Sequence, residues 1–460
     1  MDRELAALAS AYGVATWYEG SDRRHHVVSA ETVVGVLGAL GVAAESPTDV
    51  RRSLDAVRAA ADPSRLPATI VLRTGAARGL PGPARLTLED GTTRDVDELT
   101  AELPLGWHRL SYRDQHVTLV VVPRRLPTPP RTWGWLLQLY ALRSSGSWGI
   151  GDFADLADFT RWAGSTAGFV LVNPLHAVAP TEPVPASPYS PSSRRFTNPL
   201  YLRLEEIAEF RTAGEDVQTR VRALRPSDAD LIDYDAVWAA KRAALELLFA
   251  LARPIDLSAD PDLAAFATYC ALAERHGADW RGWPDQLRSP DGAAVAMARE
   301  ELADRVAFHA WVQTTCEQQL SAAADAAAGA GMPVGVVHDL AVGVDPGGAD
   351  GWLLGDVLAS GVRVGAPPDA FNQLGQDWGL AAFRPDRLAD TGYAAYRDML
   401  RRILRHAGGL RIDHVAGLWR LWWIPPGAGA ADGTYVHYDP DAMLGILALE
   451  AYRAGAVVVG

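Results

Sequence analysis

Apolar residues recur at three- and four-residue spacing in ELAALASAYGV and again in SAETVVGVLGALGV, which predicts helices over residues 1 to about 60, with Ser29 or Glu31 opening the second. The period then shortens. PATIVLRTG, ARLTLEDGTTRDV and HVTLVVVP are short β-rich runs broken by Gly, Pro and Asp-Gly turns, and they predict a small antiparallel β domain over residues 66–123. Residues 124–132 are proline-rich and read as a stiff linker.

From residue 133 the pattern changes again. Short, nearly continuous apolar runs begin at Trp133, Gly168, Met332, Gly409 and Ala456, and helical patterns such as DFADLADFTRWAGSTA and YAAYRDMLRRILRHAGG lie between them. Unbroken β-branched runs suit parallel strands covered on both faces, and alternating β and α units imply an α/β fold with a parallel sheet. A (β/α)8 barrel is preferred, because polar residues collect at the C-terminal ends of the runs: Asn173, His338 with Asp339, and Asp413 with His414. A doubly wound sheet is the alternative, but no Gly-rich first turn is present to hold a dinucleotide. Residues 133–460 are thus expected to form a barrel that stops after about its fifth strand. A helical insertion of about residues 203–330 is expected to lie on its rim.

Charge and composition narrow the chemistry. The net charge of −13 and the absence of a Lys/Arg run argue against a nucleic-acid partner. No apolar stretch reaches the ~18 residues of a membrane span. The N-terminus has no cationic start, apolar run and cleavage site in succession. The two cysteines, Cys270 and Cys316, sit in no metal or redox spacing, so a reduced cytosol is the expected setting. Fifteen tryptophans fit a substrate with flat apolar faces such as a sugar, although core packing is the commoner use of any one of them.

The segment GLRIDHVAGLWRLWWIPPG, Gly409–Gly427, carries the strongest chemical signal. Two residues apart on a strand, Arg411 and Asp413 share a face, and a neighbouring guanidinium keeps a carboxylate ionised. Such a carboxylate is what a retaining glycosidase uses as nucleophile; a purely structural Arg–Asp pair explains the spacing equally well.

RIDH at Arg411–His414 resembles the α-amylase superfamily pattern. The longer segments LRSSGSWGIGDFADL, ASPYSPSSRRFTNPLYL, GVVHDLAVGVD, PPDAFNQLGQDWGL and RIDHVAGLWRLWWIP resemble the amylomaltases, the 4-α-glucanotransferases of glycoside hydrolase family 77, in its long bacterial form with an N-terminal extension. The resemblance implies transfer of α-1,4-glucan segments between maltodextrins through a covalent glycosyl-enzyme, with no metal or organic cofactor. It implies that Asp413 is the nucleophile and that Arg411 orients it. It also implies that Tyr189, with Ser187 beside it, stacks under the sugar at the cleavage point, that His414 binds a sugar hydroxyl beside the cleaved bond, that His338 and Asp339 bind substrate, and that Asp369, Gln376 and Trp378 belong to a loop closing over the acceptor side. Asn173 and Asp152 have simpler uses, ending a strand and capping a helix. Trp419, Trp422 and Trp423 read as packing. The N-terminal β domain binds glucan or, more simply, docks.

Family members carry the general acid/base Glu directly after the apolar run that here ends at Gly460. The 460 residues are therefore expected to be a fragment without useful activity of its own. An α-glucan hydrolase and a catalytically silent glucan-binding protein are the competing readings.

Overall fold

Two units interleave along the sequence: Met1–Pro127 with Asp356–Arg401 and His414–Gly455, and Thr128–Gly355 with Arg402–Asp413 and Ala456–Gly460. The computed structural model describes residues 1–60, 62–227, 229–359 and 361–460.

In the first unit, helices Arg3–Ala11, Ala30–Ala39 and Pro47–Ala60 follow the apolar spacing, and the Ser29 hydroxyl caps the second by accepting from the Thr32 amide. Between the first two helices lies a short hairpin, β1 (Trp17–Glu19) with β2 (His25–Val27), too brief for periodicity to register. Next come β3 (Thr69–Arg73), β4 (Arg78–Thr87), β5 (Thr93–Leu99), β6 (Gly106–Tyr112) and β7 (Gln115–Val122). They form one sheet in the order β3-β7-β6-β4-β5, antiparallel except for the parallel pair β3–β7. Alternate residues Leu86, Leu110, Leu119 and Val121 supply its core. The later segments of this unit add β13 (Arg363–Ala366), β14 (Gln376–Leu380), β16 (Arg420–Ile424) and β17 (Thr434–His437), paired antiparallel as β14-β13-β16-β17. Trp422 and Trp423 are wholly buried there, whereas Trp419 is 42% exposed.

In the second unit, β8 (Gly134–Leu137), β9 (Phe169–Val172), β12 (Gly335–Leu340), β15 (Gly409–Ile412) and β18 (Val457–Val459) make an all-parallel sheet in the order β18-β15-β12-β9-β8. Each begins in one of the five apolar runs. The order follows the chain without the reversal that defines a doubly wound sheet. Among the described residues the sheet has five strands and does not close on itself, so the structure establishes an α/β architecture and not a complete barrel. A two-stranded ribbon, β10 (His176–Ala177) with β11 (Ser193–Thr197), follows β9. Helices Tyr234–Phe249, Pro261–His276 and Ala303–Gly329 occupy much of the stretch before β12. The helix after β8, Phe153–Ala163, opens on a reciprocal capping box in which Asp152 and Asp155 each accept from the other's end of the first turn.

Candidate active site

The site is set by the register of two neighbouring parallel strands. Asp339 on β12 lies opposite Arg411 on β15. The strands reach this closeness through Gly408, immediately before β15, where a Cβ would come within 1.6 Å of the Val334 carbonyl oxygen. Asp413 follows β15 directly, and its amide donates to the Leu340 carbonyl at 3.1 Å, so the strand pairing is carried one residue further and the carboxylate is held at the strand's C-terminal end.

Arg411 lies between two carboxylates. Its Nη1 donates to both oxygens of Asp339 at 2.7 Å, and its Nη2 donates to Asp413 Oδ1 at 3.0 Å. The Tyr189 hydroxyl donates to Asp339 Oδ2 at 3.0 Å. Burial lifts the Asp339 carboxyl, against the pull of the Arg411 hydrogen bonds and charge. Burial followed by the Asp339 charge pushes the Tyr189 phenol up to about 12. Burial acts to lower the Arg411 guanidinium, but Asp339 and Asp413 together hold it above its usual value. The result is a guanidinium that bridges two carboxyl groups, with the Tyr189 hydroxyl fixed as a donor.

Of the residues singled out from the sequence, Asp413, Arg411, Asp339 and Tyr189 come together here. Ser187 is solvent-exposed and accepts from the Tyr189 amide at 3.3 Å, supporting the turn that presents the tyrosine. His338 does not join them. Strand alternation turns it to the opposite face of β12 from Asp339; it is buried with its Nε2 unpaired, and burial followed by the His406 charge pulls it down to about 4.

The remaining candidates belong to the first unit. Asp369 accepts from the amides of Phe371 and Asn372 at 2.7 and 2.6 Å, which ties its own loop. The Gln376 side-chain oxygen accepts from the Trp378 indole at 3.2 Å. That indole meets the His414 ring edge-on at 5.2 Å, and His414 has a left-handed backbone, φ 49°. Phe371 and Leu374 on the same loop are 95% and 84% exposed.

Sequence reasoning assigned no role to Arg194 or His176. Arg194 Nη1 donates to the carbonyls of Ala341 and Val342 at 3.0 and 2.9 Å, and the Ala341 amide donates to His176 Nε2 at 3.3 Å. Together they fix the backbone immediately after β12. The adjacent Arg195 pairs with the buried Asp350. Two consecutive arginines in SSRRFTNP were the available signal, since burying such a pair requires dedicated acceptors. Among the described residues no group of three or more His, Cys, Asp or Glu side chains is placed to hold a metal.

The chain matches the family profile described as 4-alpha-glucanotransferase, glycoside hydrolase 77, over residues 137–460. It is 45% identical over 520 aligned positions to the 4-alpha-glucanotransferases of Mycobacterium tuberculosis and Mycobacterium bovis, covering 99% of this chain and 71% of theirs. The Haemophilus influenzae 4-alpha-glucanotransferase is 36% identical over 402 positions, 78% of this chain and 57% of that one. The crystal structure of amylomaltase from Corynebacterium glutamicum superposes with a TM-score of 0.86 at 37% identity, over 100% of this chain and 71% of that chain. The Streptococcus agalactiae amylomaltase, solved with acarbose, shares the fold at a TM-score of 0.61 and 19% identity, over 72% of this chain and 68% of that one.

Proposed function

The chain belongs to the 4-α-glucanotransferases of glycoside hydrolase family 77, and on that premise we propose that Asp413 is the nucleophile of a retaining transfer between α-1,4-glucans. The observation that carries the proposal is the Arg411 bridge. It aims the Asp413 carboxyl, while Asp339 anchors the guanidinium from the neighbouring strand. An ionised, oriented carboxylate is suited to attack C1 of a glucosyl unit. The C1–O4 bond breaks as the C1–Oδ bond forms, and the departing oxygen takes a proton from a general acid. A second glucan's 4-hydroxyl then attacks C1 in turn, giving its proton back and releasing Asp413.

Asp339 is unsuited to the acid role. Its oxygens already accept three hydrogen bonds, two of them from a guanidinium, so a proton would have to displace a charge-assisted contact. The acid role is proposed for a Glu, as the family resemblance implies. The five parallel strands are proposed as the first five of a (β/α)8 barrel.

Tyr189 is proposed as the aromatic platform under the donor sugar, its ring fixed by the Asp339 bond. Gln376, Trp378, Asp369 and His414 are proposed as sugar contacts carried by the first unit, with acceptor binding at the Trp378 loop favouring a sugar over water. No helix is long and apolar enough to cross a membrane among the described residues, and the free, buried Cys270 and Cys316 suit a reducing compartment, so the cytosol is the proposed location.

The test is product analysis on maltotriose with the full-length protein. Glucose together with longer maltodextrins is the expected result, and Asp413→Ala should erase both. New reducing ends without longer chains would make the enzyme a hydrolase, and a fully active Asp413→Ala protein would remove that residue from the mechanism.

A further inference from the structure

The first unit carries a cleft of about 630 Å³, lined by residues of Ala6–Glu19 together with Arg420 and His437. It shares no residue with the Arg411 cluster, and its size is within the ~300–1,000 Å³ of small-molecule sites. Its walls are tied together by backbone. Val14 bridges to Val436, the Ala15 amide donates to the Tyr435 carbonyl at 2.8 Å, and the His437 amide donates to the Gly13 carbonyl at 2.9 Å. Gly13 has φ +69°, and a Cβ there would come within 3.2 Å of the His437 carbonyl oxygen, so the close approach depends on glycine.

The lining combines one exposed flat ring with hydrogen-bonding groups of both signs. Trp17 is 51% exposed, and its indole is braced by His25 at 4.4 Å with 5° between the rings. That stacking holds the indole rigid and leaves its other face uncovered by His25. Glu19 sits two residues on, on the same face of β1. Arg420 and His437 are cross-strand partners on β16 and β17, and the Arg420 guanidinium lies over the Tyr435 ring at 4.2 Å. Burial and then the Arg420 charge pull the His437 imidazole below its ordinary value, which leaves it neutral near pH 7. Ser10 and Thr16 are also among the lining residues. A braced indole beside one carboxylate, one guanidinium and a neutral imidazole is matched to a ligand with an apolar ring face and a rim of groups that donate and accept, and it has no excess charge to select an anion or a cation.

We propose that this cleft is a second glucan-binding site, stacking a glucosyl unit on Trp17 and hydrogen-bonding its hydroxyls through Glu19 and Arg420. The choice of an α-glucan among neutral sugars rests on the transferase reading above; the cleft's suitability for a sugar ring does not. A site apart from the chemistry would hold polymeric substrate near the enzyme and raise its local concentration.

Native electrophoresis of the full-length protein in gels containing amylose or glycogen tests this, with maltotriose disproportionation measured in parallel. Trp17→Ala and, separately, Glu19→Ala are expected to weaken polymer retardation by about tenfold, the scale of losing one stacking or charged contact, with maltotriose turnover unchanged. Tyr189→Ala should remain retarded. Retardation unchanged in both Trp17→Ala and Glu19→Ala would overturn the proposal. So would a wild-type protein that disproportionates maltotriose but is not retarded, an outcome that leaves the transferase reading standing. Absence of both properties in the wild type would remove both.

Discussion

Arg411 gives two 2.7 Å hydrogen bonds to Asp339 and a single 3.0 Å bond to Asp413. The guanidinium is therefore anchored mainly on the neighbouring strand, and the proposed nucleophile receives its weaker arm. This suits a group that must form and break a bond at C1. A carboxylate gripped by both arms of the fork would be a poorer nucleophile, whereas one held by a single donor is oriented with a second oxygen available.

Removing the anchor should therefore damage catalysis through Arg411. Asp339→Asn keeps the shape of the side chain but removes its charge, and the guanidinium is freed to pair fully with Asp413. We expect kcat to fall by roughly 10²–10³-fold, comparable to the loss of one preorganised polar contact, with thermal stability little changed. Steady-state kinetics on maltotriose beside a thermal melt would check this; near-normal kcat would show that Asp339 does not position the pair.

Tyr189 has two separable parts. Tyr189→Phe loses only the 3.0 Å hydroxyl bond to Asp339, a net change of about 1 kcal/mol, and should lower kcat/KM by no more than about tenfold. Tyr189→Ala also removes the ring and is expected to raise KM for short donors well beyond that. Equal effects from the two substitutions would deny the ring any part in sugar binding.

His338 and His176 give the second unit an acid limb. Burial holds them down to about 4 and about 3 in the folded protein, against 6.5 ordinarily. Between those values the unfolded chain binds protons that the folded chain does not, so stability falls as pH drops from about 6.5 toward 4. For His338 the loss approaches, at most, about 3 kcal/mol. Urea denaturation at pH 7 and pH 5 should show it, and His338→Gln should flatten the slope. A slope unchanged by that substitution would mean that the imidazole protonates without unfolding.

Asp152 is wholly buried, caps the helix Phe153–Ala163 and accepts from Arg203 Nε at 2.5 Å. Asp152→Ala removes the cap and leaves Arg203 with Asp155 as its only carboxylate partner in this cluster. We expect a loss of about 3 kcal/mol, read as a lower denaturation midpoint. A loss below about 1 kcal/mol would reduce Asp152 to a cap alone.

The sequence by itself determined the elements whose signal is local. The five apolar runs became the five parallel strands because continuous β-branched residues suit only a strand covered on both faces. The motif around Asp413 was legible because Arg411 and Asp413, two residues apart in an extended chain, must share a face. Asp152 read as a cap for the same reason: its partners are its own first-turn amides. Only the tertiary structure decided what depended on register. Asp339 and Arg411 are separated by 72 residues, and no spacing rule brings them together; the β12–β15 pairing does. The same pairing separates His338 from Asp339, because neighbours on a strand face opposite ways, so two residues that read as one motif have different surroundings. Arg194, His176 and the Trp17 cleft stayed hidden for that reason too, since their partners lie on segments distant in the chain.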